Sequence, residues 1–178
     1  MLRAAALVLA TTVLTAPAAH ARADAIVDQA DRSDDVNILD GGGSKPTLAQ
    51  RQSIDLERFT VTRTAQGVRL SFQLRRVTGS RAYDQVVEAQ LGRGAALLDV
   101  LANPRSAKAT AYVEGDTACL VDVSTPKGSD TVRIDLPTAC LPHGSGPMLV
   151  TTYTQRPNGS GPSYSEDTLR IKGRVSLR

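Results

Sequence analysis

The sequence predicts an all-β protein, an antiparallel two-sheet β-sandwich of jelly-roll kind, and two observations carry that expectation. Between positions 68 and 74, Val68, Leu70, Phe72 and Leu74 alternate with Arg69, Ser71 and Gln73, the period of a strand with one face in a core. Around this stretch lie about nine short apolar runs, separated by Gly, Pro and Asn signals at a spacing of roughly 8–12 residues, the rhythm of a sandwich.

The chain begins with Arg3, an apolar run over residues 4–14, and small residues ending in Ala21-Arg22-Ala23. This is the pattern of a secretory signal with an A-x-A site, too short to span a membrane. Cleavage is expected after Ala23, with Ala21 as second choice, leaving residues 24–178 as a single secreted domain large enough to bury a core. The cut removes Arg3 and Arg22 from 21 basic residues and none of the 18 acidic ones, so the mature chain is close to neutral. It holds no dense basic run, which argues against a nucleic-acid partner, and no later run apolar enough for a transmembrane segment. Arg in excess of Lys, with abundant Ala, Val, Thr and Gly, has the look of a GC-rich bacterial genome.

The mature start is crowded with acids, Asp24, Asp28, Asp31, Asp34, Asp35 and Asp40, and residues 25–27 and 36–39 are short strand candidates around an Asp-rich turn. Residues 41–52, GGGSKPTLAQRQ, read as a flexible loop. A hairpin follows. In its first arm Ile54, Leu56, Phe59 and Val61 change phase, which predicts a bulge near Glu57 and Arg58. Its turn, Thr64-Ala65-Gln66-Gly67, ends in the residue that takes positive φ without penalty. Residues 85–91 and 95–101 fit either strands or short helices and are read as strands. Residues 108–114, 118–124 and 130–137 form a meander, in which Val132, Ile134 and Leu136 alternate and are expected to face the core together with Val68, Leu70, Phe72 and Leu74. Residues 148–156 and the segment from 167 to 177 complete the set.

Two cysteines in a chain bound for an oxidising compartment, Cys119 and Cys140, are expected to pair. A register centred on Lys127 and Gly128 sets Cys119 opposite about position 136, from which closure to Cys140 is plausible.

For the acids, calcium is the favoured chemistry. The ion takes about six to eight oxygens, and the turn carrying Asp28, Asp31, Asp34 and Asp35 supplies several, with Asp55 or Asp167 adding more from the sheet. Asp28, Asp34, Asp35 and Asp55 are the candidate ligands; the alternative is a solvated N-terminus. His143 is the only histidine after cleavage and lies in a Pro/Gly-rich loop without a G-x-S-x-G elbow, so no catalytic residue is assigned. A hydrolase would draw its carboxylates from Asp34, Asp35, Glu57, Asp99 or Asp167 and needs a groove with stacking aromatics. Whether Tyr83, Tyr112, Tyr153 or Tyr164 gather with carboxylates therefore discriminates between the readings.

The Asp34-Asp35-Val36 turn, the Gly-rich loop and the hairpin from Asp55-Leu56 to Leu74 resemble the opening of DOMON-like sandwiches, which include family-nine carbohydrate-binding modules. Cys119-Leu120-Val121, Val132-Arg133-Ile134, Cys140-Leu141 and Tyr164-Ser165-Glu166-Asp167 are similar to small secreted actinobacterial proteins. The resemblance implies a two-sheet antiparallel fold, secretion and a disulfide. It carries over no ligand, because family-nine modules grip sugar between tryptophans, absent here, and haem-binding members use a separated Met and His. The resulting expectation is a secreted, non-catalytic binding or structural module, with an extracellular glycan or envelope component as partner and no cofactor beyond calcium. A calcium-dependent glycan-binding module and a secreted hydrolase are the alternatives.

Overall fold

The computed structural model describes residues 25–39, 45–92, 96–115, 117–157 and 165–178; the expected signal segment, Asp24, Asp40 and Tyr164 lie outside them. Strands β1 (Ala25–Ala30), β2 (Asn37–Ile38), β3 (Leu56–Thr64), β4 (Gly67–Leu74), β5 (Asp84–Leu91), β6 (Leu98–Ala102) and β7 (Lys108–Val113) come first. They are followed by β8 (Thr117–Ser124), β9 (Thr131–Pro137), β10 (Ser145–Gly146), β11 (Met148–Gln155), β12 (Ser165–Arg170) and β13 (Val175–Ser176). One helix, α1 (Leu48–Ile54), precedes β3.

The all-β antiparallel expectation is met. Hydrogen bonding defines one eleven-stranded sheet in the order β1-β3-β4-β9-β8-β7-β6-β5-β11-β12-β2, with β10 and β13 as a separate two-stranded ladder, where two comparable sheets were expected. The reason is local: β5 to β9 follow one another as neighbours, so no strand between them leaves the ladder to found a second sheet. The sheet instead curls. Its ends approach where β3 meets β12: the Leu56 N–H donates to Asp167 Oδ2 at 2.8 Å. From β1, Gln29 Nε2 donates to the Arg170 carbonyl at 2.9 Å, and Gln29 Oε1 accepts from the Lys172 N–H at 3.0 Å.

The central hairpin follows its pattern. Phe72 pairs with Val132, Leu70 with Ile134 and Val68 with Leu136, and all of these side chains are buried in one core. The ladder of β3 on β4 shifts between Leu56 and Arg58, the bulge that lets Leu56 and Phe59 face the same side. At the turn, Gly67 has φ +153°, and a Cβ there would stand 2.1 Å from the Leu136 carbonyl oxygen. Gly67→Ala is therefore expected to destabilise the protein by more than about 1 kcal/mol, the loss associated with a side chain in a backbone site that excludes it. Chemical denaturation of the variant beside Gly79→Ala, whose position is open, measures it; equal midpoints would contradict the account.

Residues 48–54 form a helix where the sequence reading had a loop up to 52. Thr47 and Gln50 make a capping box, with Gln50 N–H to Thr47 Oγ1 at 3.2 Å and Thr47 N–H to Gln50 Oε1 at 2.7 Å. These bonds satisfy two donors of the first turn. Ser53 and Ile54 are buried, and α1 packs against β4, β5, β11 and β12. The Gln85 amide donates to the Ser53 carbonyl and the Thr152 hydroxyl to that of Ile54, which gives the end of α1 the partners a buried helix terminus requires.

Cys119 and Cys140 form a disulfide with Cα atoms 6.0 Å apart. Asp122 lies opposite Asp135 and Ser124 opposite Arg133, so the register runs about two residues further along than expected. That offset directs Cys119 toward the 3-10 turn Thr138–Cys140.

Candidate functional site

The candidate site lies on the seam where the curled sheet closes. β1 ends at Ala30, and the Asp31 N–H donates to the Glu57 carbonyl at 3.0 Å, which holds the start of the acidic turn on β3. Asp34 then takes φ +67°, a left-handed conformation that Asp tolerates better than most residues. Its N–H donates to both carboxylate oxygens of Asp55, at 3.0 and 3.1 Å. Arg75 completes this corner. Its N–H donates to the Asp55 carbonyl at 2.8 Å, and its guanidinium reaches Asp55 Oδ2 at 3.2 Å and also the Asp34 carboxylate.

With the turn folded back in this way, carboxylate oxygens of Asp31, Asp35 and Asp167 lie within 4.8 Å of one another. Asp31 Oδ1 accepts from the Arg32 N–H at 2.9 Å, while Oδ2 is shut off from solvent without a hydrogen-bond partner. Asp167 is 2% exposed. Burial pushes its carboxyl up to about 7; bonds from the Leu56 and Thr168 backbone oppose the rise, and the charges of Asp31 and Asp35 add to it. Burial likewise raises Asp31, with Asp35 and Asp55 adding to it. Among the described residues none of these three carboxylates is in an ion pair, and held together they repel one another, so the arrangement has two ways to relax: a shared proton or a bound cation.

The turn thus lies against the sheet, as the sequence suggested, and divides its acids. Asp35 stands in the cluster with Asp31 and Asp167. Asp28 lies in a two-bond ion pair with Arg58, both distances 2.6 Å. Asp34 and Asp55 meet Arg75. The residue types were readable from the sequence; which acids converge depends on the Asp34 backbone and on Arg75, 41 positions further along.

Of the other candidates, Tyr112 and Tyr153 gather with Asp99 on the outer face, and the rest are dispersed. His143 is exposed, and its N–H donates to Glu114 Oε1 at 2.7 Å. Glu57 accepts from Gln73 at 3.3 Å on the outer side of the hairpin. Tyr83 is buried, with its hydroxyl 3.4 Å from the Ala49 carbonyl. Tyr112 and Asp99 line one open depression on the outside of the sheet, and burial, with the charges of Glu88 and Asp99, pushes Tyr153 up to about 12. Asp99 and Asp167 belong to different faces, so they do not make one carboxylate pair.

No family model matches the chain, and no curated protein or solved structure matches it.

Proposed function

We propose that this is a secreted, non-catalytic β-domain, released by cleavage after Ala23, that acts outside the cell as a binding or structural module and is locked by calcium at the seam. The observation that carries the reading is the convergence of Asp31, Asp35 and Asp167 within 4.8 Å. Two of these acids come from the N-terminal turn and the third from β12, so one hard cation would tie the first strand to the last large one. Calcium suits an all-oxygen, carboxylate-rich seat of this kind, and water completes its shell. The disulfide supports an oxidising compartment, and no described helix is long and apolar enough to cross a membrane. On this reading the two facing halves of the curled sheet stand for the two layers of a DOMON-like sandwich. The hydrolase alternative has less support, because its acids are divided between the seam and the outer face.

Thermal unfolding in millimolar calcium and in chelator tests the lock. A ligand present at about a hundred times its dissociation constant adds roughly 2.7 kcal/mol, or about 5–10 °C for a domain of this size. Asp31→Asn and Asp167→Asn are expected to remove the shift, and identical curves for the unaltered protein would overturn the reading.

The dependence on pH separates cation from proton. With Asp167 raised to about 7, the folded state holds a proton that the unfolded chain has already released. Over the window between about pH 4 and 7, stability in chelator therefore falls as pH rises. Asp167→Asn is expected to flatten that slope, and calcium to weaken it by favouring the ionised form. A slope in chelator that is unchanged in Asp167→Asn would place the titration elsewhere.

A further inference from the structure

We propose that the outer face of β5, β6 and β7 carries a second site, a shallow cleft that receives a lysine side chain from a basic peptide partner. The register sets Gln90 beside Asp99 and Asp99 beside Tyr112, with Glu88 beside Leu101 in the next row. Asp99, Leu101, Thr110 and Tyr112 line a cleft of about 380 Å³, the small end of the range for ligand sites. Leu101 is 45% exposed and Tyr112 50%, on a face where a half-buried sheet ordinarily presents polar residues.

The charge on this face is unbalanced. Gln90 Nε2 donates to Glu88 Oε1 at 2.7 Å, while Asp99 Oδ1 is closed to solvent and has no hydrogen-bond partner. Among the described residues neither acid is in an ion pair; all such pairs lie elsewhere. Burial raises both carboxyls and Asp99 raises Glu88 further, while a bond from the Gln90 amide opposes the rise at each. Two partly desolvated acids beside an exposed ring and an exposed leucine complement a cation on an apolar stem. An ammonium seated over the cleft is attracted to both acids, and its methylenes cover Leu101 and the face of Tyr112. A neutral sugar would cover the acids without balancing them. Leu120, 68% exposed, lies across Thr110 in the row of Leu101. The apolar surface therefore runs past the cleft, which favours a peptide over a free amine.

This site is independent of the calcium seam, and its test keeps the two apart. The chain has tyrosine but no tryptophan, so tyrosine fluorescence and calorimetry can follow titration with acetyl-Leu-Lys-Leu-Lys-Leu-amide. Parallel titrations use the same peptide with norleucine for lysine, n-butylamine, and cellohexaose. Saturable binding of the lysine peptide is expected. Asp99→Asn and Tyr112→Ala should each weaken it about tenfold, the loss of one such contact, with melting temperatures unchanged. Binding should persist in chelator and in Asp167→Asn. The proposal is overturned if the lysine peptide does not bind, if the norleucine peptide or n-butylamine binds as tightly, if cellohexaose binds in its place, or if Asp99→Asn and Glu88→Gln both bind like the unaltered protein.

Discussion

Phe72→Ala is expected to remove about 3–5 kcal/mol of stability, the usual loss for a buried phenylalanine. Phe72 is fully buried on β4 and lies opposite Val132 of β9, in the ladder that joins the hairpin to the meander. Its ring meets that of Phe59 edge-on, with centroids 5.0 Å apart and planes at 62°, an arrangement worth about 0.5–1.5 kcal/mol beyond the area it buries. Typical domains have only about 5–15 kcal/mol in total, so the variant should unfold at a much lower denaturant midpoint. Phe72→Leu, which keeps most of the volume, should recover a large part of the loss. Urea unfolding of the two variants beside Thr62→Ala decides it. A Phe72→Ala loss no greater than that of the Thr62 control would mean that the hairpin is not the centre of the core.

Removing the disulfide by Cys119→Ala with Cys140→Ala is expected to cost roughly 3 kcal/mol, the chain-entropy value for a loop of this length. The bridge spans a sequence separation of 21 and ties β8 to the 3-10 turn, whose Cys140 is buried beside Leu141. Further along, Arg178 Nε donates to the Leu141 carbonyl at 3.0 Å, so the bridge also steadies the segment that receives the C-terminus. Unfolding with and without reductant, together with a thiol titration of the native protein, measures it. Two reactive thiols, or equal midpoints under both conditions, would contradict the account.

Much of the fold could be read from periodicity because one face of most strands meets the core and the other meets water. Val68 to Leu74 and Val132 to Leu136 alternate for that reason, and the change of phase between Leu56 and Phe59 marked the bulge. Helix α1 was missed because the glycines and proline of residues 41–46 dominate their surroundings, although Thr47 and Gln50 at capping-box spacing were a usable signal. The single curled sheet was not readable, since closure rests on contacts such as Leu56 with Asp167, 111 residues apart.

The site was legible in kind more than in membership. The Asp-rich turn was plain in the composition, and Asp167 was among the acids expected to add an oxygen from the sheet. The sequence could not say that Arg75 takes Asp34 and Asp55 out of the set, or that Arg58 takes Asp28. Glu88 went unnoticed because a lone acid in an apolar strand carries no motif; only the register beside β6 brings it near Asp99.

Calcium titration calorimetry on the metal-free protein at pH 7.5, repeated with Asp167→Asn, tests the central claim most directly. The account predicts one saturable site in the unaltered protein and its loss in the variant, with both proteins folded by circular dichroism. Absence of binding in the unaltered protein, or the same isotherm in Asp167→Asn, would contradict it and leave the three acids as a proton-sharing cluster.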